Sequence, residues 1–106
     1  MRLATRTFTD TDQQRFAAAS GDHNPMHVDA LLARRTQAGS QVVHGVHLLL
    51  WTLDVLAETQ PELPPLRKLR SQFNKFVCVS EPAEIVLMQQ NPACARLSVS
   101  VDGMAR

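Results

Sequence analysis

No block of basic residues runs through this sequence. Eleven Lys and Arg stand against ten Asp and Glu, a formal charge of +1. The electrostatic footprint of a nucleic-acid binder is therefore missing. A bilayer-length apolar run is missing too: the longest, Val46 to Ala57, is broken by His47, Thr52 and Asp54. It falls short of the roughly 20 residues that span a membrane, so no membrane partner is expected. The opening Met-Arg-Leu-Ala-Thr-Arg has no apolar core behind its charge and does not read as a secretory signal. Cysteine is scarce, and Cys78 and Cys94 have no metal-ligand spacing. Both lie in strand-like apolar segments, so buried, reduced thiols and a cytoplasmic location are expected. What is present is ordinary for a soluble globular chain: 106 residues, 44% hydrophobic and 20% charged. That length implies one domain, residues 1–106.

Hydrophobic periodicity divides the chain into a helical first half and a strand-like second half. The proline-rich stretch Gln60-Pro61-Glu62-Leu63-Pro64-Pro65 lies between them. Residues 3–8 read as a short strand. Thr9, with Asp12 three residues later, predicts a capped helix from about Asp10 to Ala19, stopped by Ser20-Gly21. Asn24-Pro25 predicts a second helix through Leu31 and Leu32, ending before Gly39. A third, from His44-Gly45 to about Thr59, is apolar on nearly every face, as a helix buried mid-fold would be. Trp51 and Leu48–Leu50 are expected in the core. Leu66–Val79, Glu84–Gln90 and Ala93–Asp102 read as strands. The last alternates strictly, with Ala95, Leu97, Val99 and Val101 on one face. Asp102-Gly103 signals a tight hairpin turn, yet only three residues follow it, so the strand it should lead into looks missing.

The chemistry concentrates in Phe16-Ala-Ala-Ala-Ser-Gly-Asp-His-Asn-Pro-Met-His27. A carboxylate, Asp22, and an imidazole, His27, meet at a loop-to-helix junction that Pro25 stiffens and Asn24 can cap. In the first turn of a helix the dipole disfavours an imidazolium, and a neutral histidine beside an ionised aspartate suits acid–base work on water. Alone, such a pair is more often a turn aspartate and a surface helix histidine.

The wider pattern is more specific. Ser20-Gly-Asp-His-Asn-Pro-Met-His27, followed by Val42-Val-His-Gly-Val46 and Phe73-Asn-Lys-Phe-Val77, resembles the MaoC-like (R)-specific enoyl-CoA hydratases of the hot-dog superfamily. The resemblance implies an α+β hot-dog fold, a curved antiparallel sheet wrapped around a central buried helix. It implies hydration of an acyl-thioester double bond, with coenzyme A or phosphopantetheine as part of the substrate and no separate cofactor. By position, Asp22 and His27 match the catalytic pair and Asn24 the residue that braces loop and water. Gly45 matches the glycine whose N–H receives the thioester carbonyl. His44, from the Val-His-Gly motif, is a candidate substrate contact. Arg34 and Arg35 read either as a solvated helix face or as a contact for coenzyme A phosphates or an acidic carrier protein. The sequence departs from the family at Phe76, which replaces a proline, and in the bulk of Leu48–Trp51. A sheet edge left open by the short last strand implies a homodimer or a hetero-oligomer with a similar subunit. His23, His27, His44 and His47 find no matching cysteine or carboxylate spacing, so no metal is expected. A non-catalytic hot-dog subunit and, more remotely, a thioesterase are the competing readings.

Overall fold

Thr9 both ends one element and starts the next. In the computed structural model, which describes residues 1–106, strand β1 (Arg2–Thr7) is followed at once by helix α1 (Asp10–Ser20). The Asp12 amide donates to Thr9 Oγ1 and the Thr9 amide to the Asp12 carboxylate, forming the expected capping box. Thr9→Ala is expected to remove about 1 kcal/mol of stability. For a domain of this size that lowers the melting temperature by roughly 4–8 °C, readable by circular dichroism. Gly21, at φ 79°, closes α1 in the left-handed region that glycine tolerates, and turns the chain toward the site.

Two short helices stand where one was expected after Asn24. α2 (Pro25–Val28) and α3 (Ala30–Ala33) are parted at Asp29. Its backbone is extended and its carboxylate accepts the Leu31 and Leu32 amides. An aspartate that offers the backbone this alternative interrupts a helix and restarts it. Helix α4 (Gly45–Thr59) follows as predicted.

Strands β2 (Pro82–Asn91), β3 (Cys94–Val101) and β4 (Met104–Ala105) join β1 in one antiparallel sheet of order β1-β2-β3-β4. Thr7 pairs with Pro82, Ala83 with Val101 and Asn91 with Cys94, with an irregularity between Leu87 and Gln89. Asp102 and Gly103 have φ values of 52° and 79°, as a two-residue primed turn requires. The strand they lead into exists, but holds two residues.

α4 lies on this sheet. Leu48, Trp51 and Val55 pack with Phe8, Val43, Val77, Ala83, Ile85 and Val101, while Leu97 and Val99 border that core. This is the hot-dog arrangement, but the alternation expected along β3 holds only from Cys94 to Leu97: beyond Leu97, Ser98 is half-buried and Ser100 is buried beside Val101. Burial of α4 is one-sided, however. Val46, Leu50 and Asp54, four residues apart, form an exposed stripe. The sheet covers one flank of the helix and leaves that stripe to solvent.

Residues 66–79 form no regular strand. Val42 and Cys78 make one isolated bridge, and the Asn74 and Lys75 amides donate to the Arg106 carbonyl. Leu66, Leu69, Phe73 and Phe76 are exposed. A strand requires a neighbour to supply its hydrogen bonds; here Gln41 and Val43 reach only Val79 and Val77, and Arg106 only Asn74, Lys75 and Phe76. Cys94 is exposed and Cys78 half-buried, so the expectation of two buried thiols fails; both are free. No helix is long and apolar enough to cross a membrane.

Candidate active site

Three short side-chain bonds shape the loop between α1 and α2. The Asp22 amide donates to Ser20 Oγ, the Asn24 amide to Asp22 Oδ1, and the Met26 amide to Asn24 Oδ1. Serine, aspartate and asparagine are the residues that bend a chain this way. Asn24 thereby caps α2 and braces Asp22. With Oδ1 engaged, Asp22 turns Oδ2 toward His27, 3.9 Å from Nε2. The aspartate side chain is half-exposed, whereas the histidine keeps only 12% of its side-chain surface.

His27 is oriented from behind. Its Nδ1 lies 2.6 Å from the Val42 carbonyl. A carbonyl only accepts, so Nδ1 carries the proton, and in the neutral ring the Nε2 lone pair is left facing Asp22. The Val42 carbonyl also accepts from Gln13 Nε2, at 2.6 Å, and the Val42 amide donates to the Met26 carbonyl. Gln13 is wholly buried and reaches the His27 carbonyl as well, as does Gln41. The tautomer is thus set by this knot. The helix dipole invoked from sequence does little here, because α2 is four residues long. A buried glutamine in a polar stretch of helix carries no pattern signal, and a backbone acceptor carries none at all.

His44 is not placed to touch a substrate. It is 1% exposed, and its Nε2 lies 3.0 Å from the Asp22 carbonyl, to which it donates. Its ring stacks on His27, with centroids 4.1 Å apart and planes 22° from parallel, and Phe16 packs beside it at 4.8 Å. Asp22, His27 and His44 bring three ligand-type atoms within 4.8 Å of one another. Nearly parallel imidazoles aim their in-plane lone pairs side by side, not at one point about 2.0–2.1 Å from each. The trio is poorly shaped to share a metal.

Gly45 begins α4, and no side chain caps that end, so the first amides of the helix keep free donors. A Cβ on Gly45 would meet Phe73 Cε1 at 3.2 Å, so the Phe73 ring closes over this position. Arg34 and Arg35 are exposed at the end of α3 and make no ion pair. No hydrogen bond ties them to Asp22 or His27. Two surface hollows, one lined by Glu62–Pro64 and Gln90–Pro92, the other by Arg6, Asp12, Arg15, Phe16, Ala19 and His47, both exclude the pair.

The aromatic packing continues inward. Phe16 stacks on His47 at 4.4 Å, and Phe8 meets His47 and Trp51 edge-on. Burial first, with nearby positive groups adding less, holds His44 and His47 below the ordinary histidine value of 6.5. Below that value the unfolded chain takes up these protons before the folded one, so stability present at neutral pH is lost as pH falls. Asp12 is held below 3.8, chiefly by the Thr9 amide, which opens a second loss at lower pH. The melting temperature is expected to fall between pH 7 and pH 5; a flat profile would contradict one buried and one half-buried histidine, both neutral.

The sequence pattern of the MaoC like domain matches residues 2–90. No curated protein matches significantly. Among solved structures, an (R)-hydratase from A. caviae involved in PHA biosynthesis is 24% identical, with a TM-score of 0.77 over 99% of this chain and 84% of that one. An unliganded R-hydratase from Pseudomonas aeruginosa is 27% identical, with a TM-score of 0.65 over 91% of this chain and 64% of that one. An Archaeoglobus monoamine oxidase regulatory protein is 19% identical, with a TM-score of 0.75 over 96% and 77%. With most of its length matched by the family pattern and its sheet and central helix in the hot-dog arrangement, this chain belongs to the MaoC-like domain family.

Proposed function

We propose that the chain is a hydro-lyase acting on acyl thioesters. It would catalyse reversible syn hydration of a trans-2-enoyl-CoA, or the carrier-protein thioester, to the (R)-3-hydroxyacyl thioester. The observation that carries this reading is Asp22 Oδ2 facing His27 Nε2 at 3.9 Å, with Nδ1 committed to Val42. At ordinary hydrogen-bond lengths of about 2.8 Å, one water oxygen reaches both atoms. The pair removes a proton from that water as its oxygen bonds to C3, and a proton is delivered to C2 on the same face. Negative charge gathering on the thioester oxygen is met by the Gly45 N–H at the start of α4, where unpaired donors need no rearrangement. Water supplies both added groups, so no redox cofactor is required. Coenzyme A or phosphopantetheine enters as part of the substrate, with Arg34 and Arg35 as candidate phosphate contacts. A second copy, or a similar subunit, is the proposed partner.

The half-exposed Asp22 side chain favours a second reading, a non-catalytic thioester-binding subunit. Adding crotonyl-CoA and following the absorbance of the conjugated thioester separates the two. Loss of absorbance with formation of the (R)-3-hydroxy product supports the hydro-lyase. Binding without turnover supports the second reading.

A further inference from the structure

The Asp22 carboxylate has no direct bond to the imidazole it faces; 3.9 Å is too long for one. Something else must fix their spacing. Asp22 lies on the loop after α1 and His27 on α2, and the local bonds of Ser20 and Asn24 shape that loop without anchoring it to α4. The anchor is His44, the residue immediately before α4. Asn24 bonds both members of the pair from within the same loop, its amide to Asp22 Oδ1 and its carbonyl to the His27 amide. His44 touches both from the start of another element, through the Nε2–H bond to the Asp22 carbonyl and the ring stacked on His27.

Its own chemistry fits that task. The bond to the Asp22 carbonyl requires a proton on Nε2, and burial keeps the ring neutral, so Nδ1 is left as a bare acceptor. That atom is fully buried and has no hydrogen-bond partner. An unpaired buried acceptor is an expense that a core residue chosen for packing alone would avoid. A phenylalanine would fill the same space without it.

We propose that His44 is a positioning residue, whose Nε2–H holds the Asp22 carbonyl while its ring backs His27, keeping carboxylate and imidazole at the separation one water can bridge. The inference rests on the functional reading above. Displacing a catalytic group by about 1 Å can lower turnover by 10², so the effect falls on kcat, with the thioester still bound.

Two variants separate its two contacts. His44→Phe keeps a stacked ring and removes the donor. His44→Gln places an amide N–H near the position of Nε2 and removes the ring. With crotonyl-CoA as substrate, His44→Phe is expected to lower kcat by roughly 10–10² with KM changed little, and His44→Gln to recover a large part of that loss. NMR cross-relaxation between the Asp22 β protons and the His27 ring protons, measured in each folded protein, reports the spacing without any reaction. It should weaken in His44→Phe and persist in His44→Gln. Wild-type kcat in folded His44→Phe, or unchanged cross-relaxation, overturns the proposal. So does a rise in KM alone, which would make His44 a binding residue. A wild type that does not hydrate crotonyl-CoA defeats the functional reading, and the NMR comparison still decides whether His44 sets the spacing. A variant that fails to fold is replaced by His44→Asn, whose shorter amide cannot reach the Asp22 carbonyl and is held to the outcomes of His44→Phe.

Discussion

Asp22→Asn is expected to lower turnover of a short enoyl-CoA by roughly 10²–10⁴, the range of a general acid–base group. The substitution keeps shape, and the oxygen that accepts the Asn24 amide has a counterpart in the new side chain. What is lost is the negative charge facing His27 Nε2. His27→Ala removes the other side of the same water site and should cost a similar factor. Because the two act on one water, the losses should not add, and the double variant should be scarcely slower than the slower single one. Thioester binding should persist in all three, since its proposed anchor is the Gly45 amide. The check is steady-state hydration beside thermal melting. If Asp22 is only a turn residue, Asp22→Asn changes stability by less than about 1 kcal/mol and leaves turnover alone. Full activity in the folded variant would end the hydro-lyase reading.

Phe8→Ala should produce the largest loss of stability. Phe8 is wholly buried between β1 and α1, beneath the Arg6 guanidinium 4.2 Å from its ring, and edge-on to His47 and Trp51. Truncating a buried phenylalanine costs about 3–5 kcal/mol, against a total of about 5–15 kcal/mol for an entire domain. At about 4–8 °C for each kcal/mol, the melting temperature falls by roughly 12 °C or more. Phe8→Leu retains most of the volume and should lose much less. The cavity would lie beside His47, which stacks on Phe16, which packs on His44. Turnover at a temperature where the variant is still folded should therefore fall as well. Unchanged melting would mean that this side chain is not the centre of the core.

Local signals survived translation into structure where a single residue type has a single physical use. Thr9 with Asp12, Asn24 with Pro25 and Asp102 with Gly103 all behaved as read. Readings failed where the outcome depended on a neighbour. Leu66–Val79 has the composition of a strand, but its backbone finds only scattered partners in Gln41, Val43 and Arg106. Leu50 and Val46 look like core, but the sheet does not reach them. At Asp29 an ordinary helix pattern was overruled by a carboxylate bonding to its own backbone. For the site, the motif named Asp22, His27, Asn24 and Gly45. It could not reveal that a carbonyl selects the tautomer of His27 or that His44 faces inward, since both are relations between segments.

The pairing of β1 with β2 has a consequence for how the molecule comes into being. The N-terminal ammonium donates to the Leu87 carbonyl, 86 positions along the chain, and Thr7 sits opposite Pro82. Chain closure over such a span is slow compared with helix formation, because its entropy is spent before any contact repays it. On a ribosome, β1 must wait, unpaired, for residues 82–91 to emerge. Asp22, His27 and His44 all lie inside the loop that this pairing closes, and Val43 and Val79 complete it through bonds to Val77 and Gln41. The helices can form early, but the spacing between carboxylate and imidazole belongs to the closed chain, so the site is among the last features to appear during folding.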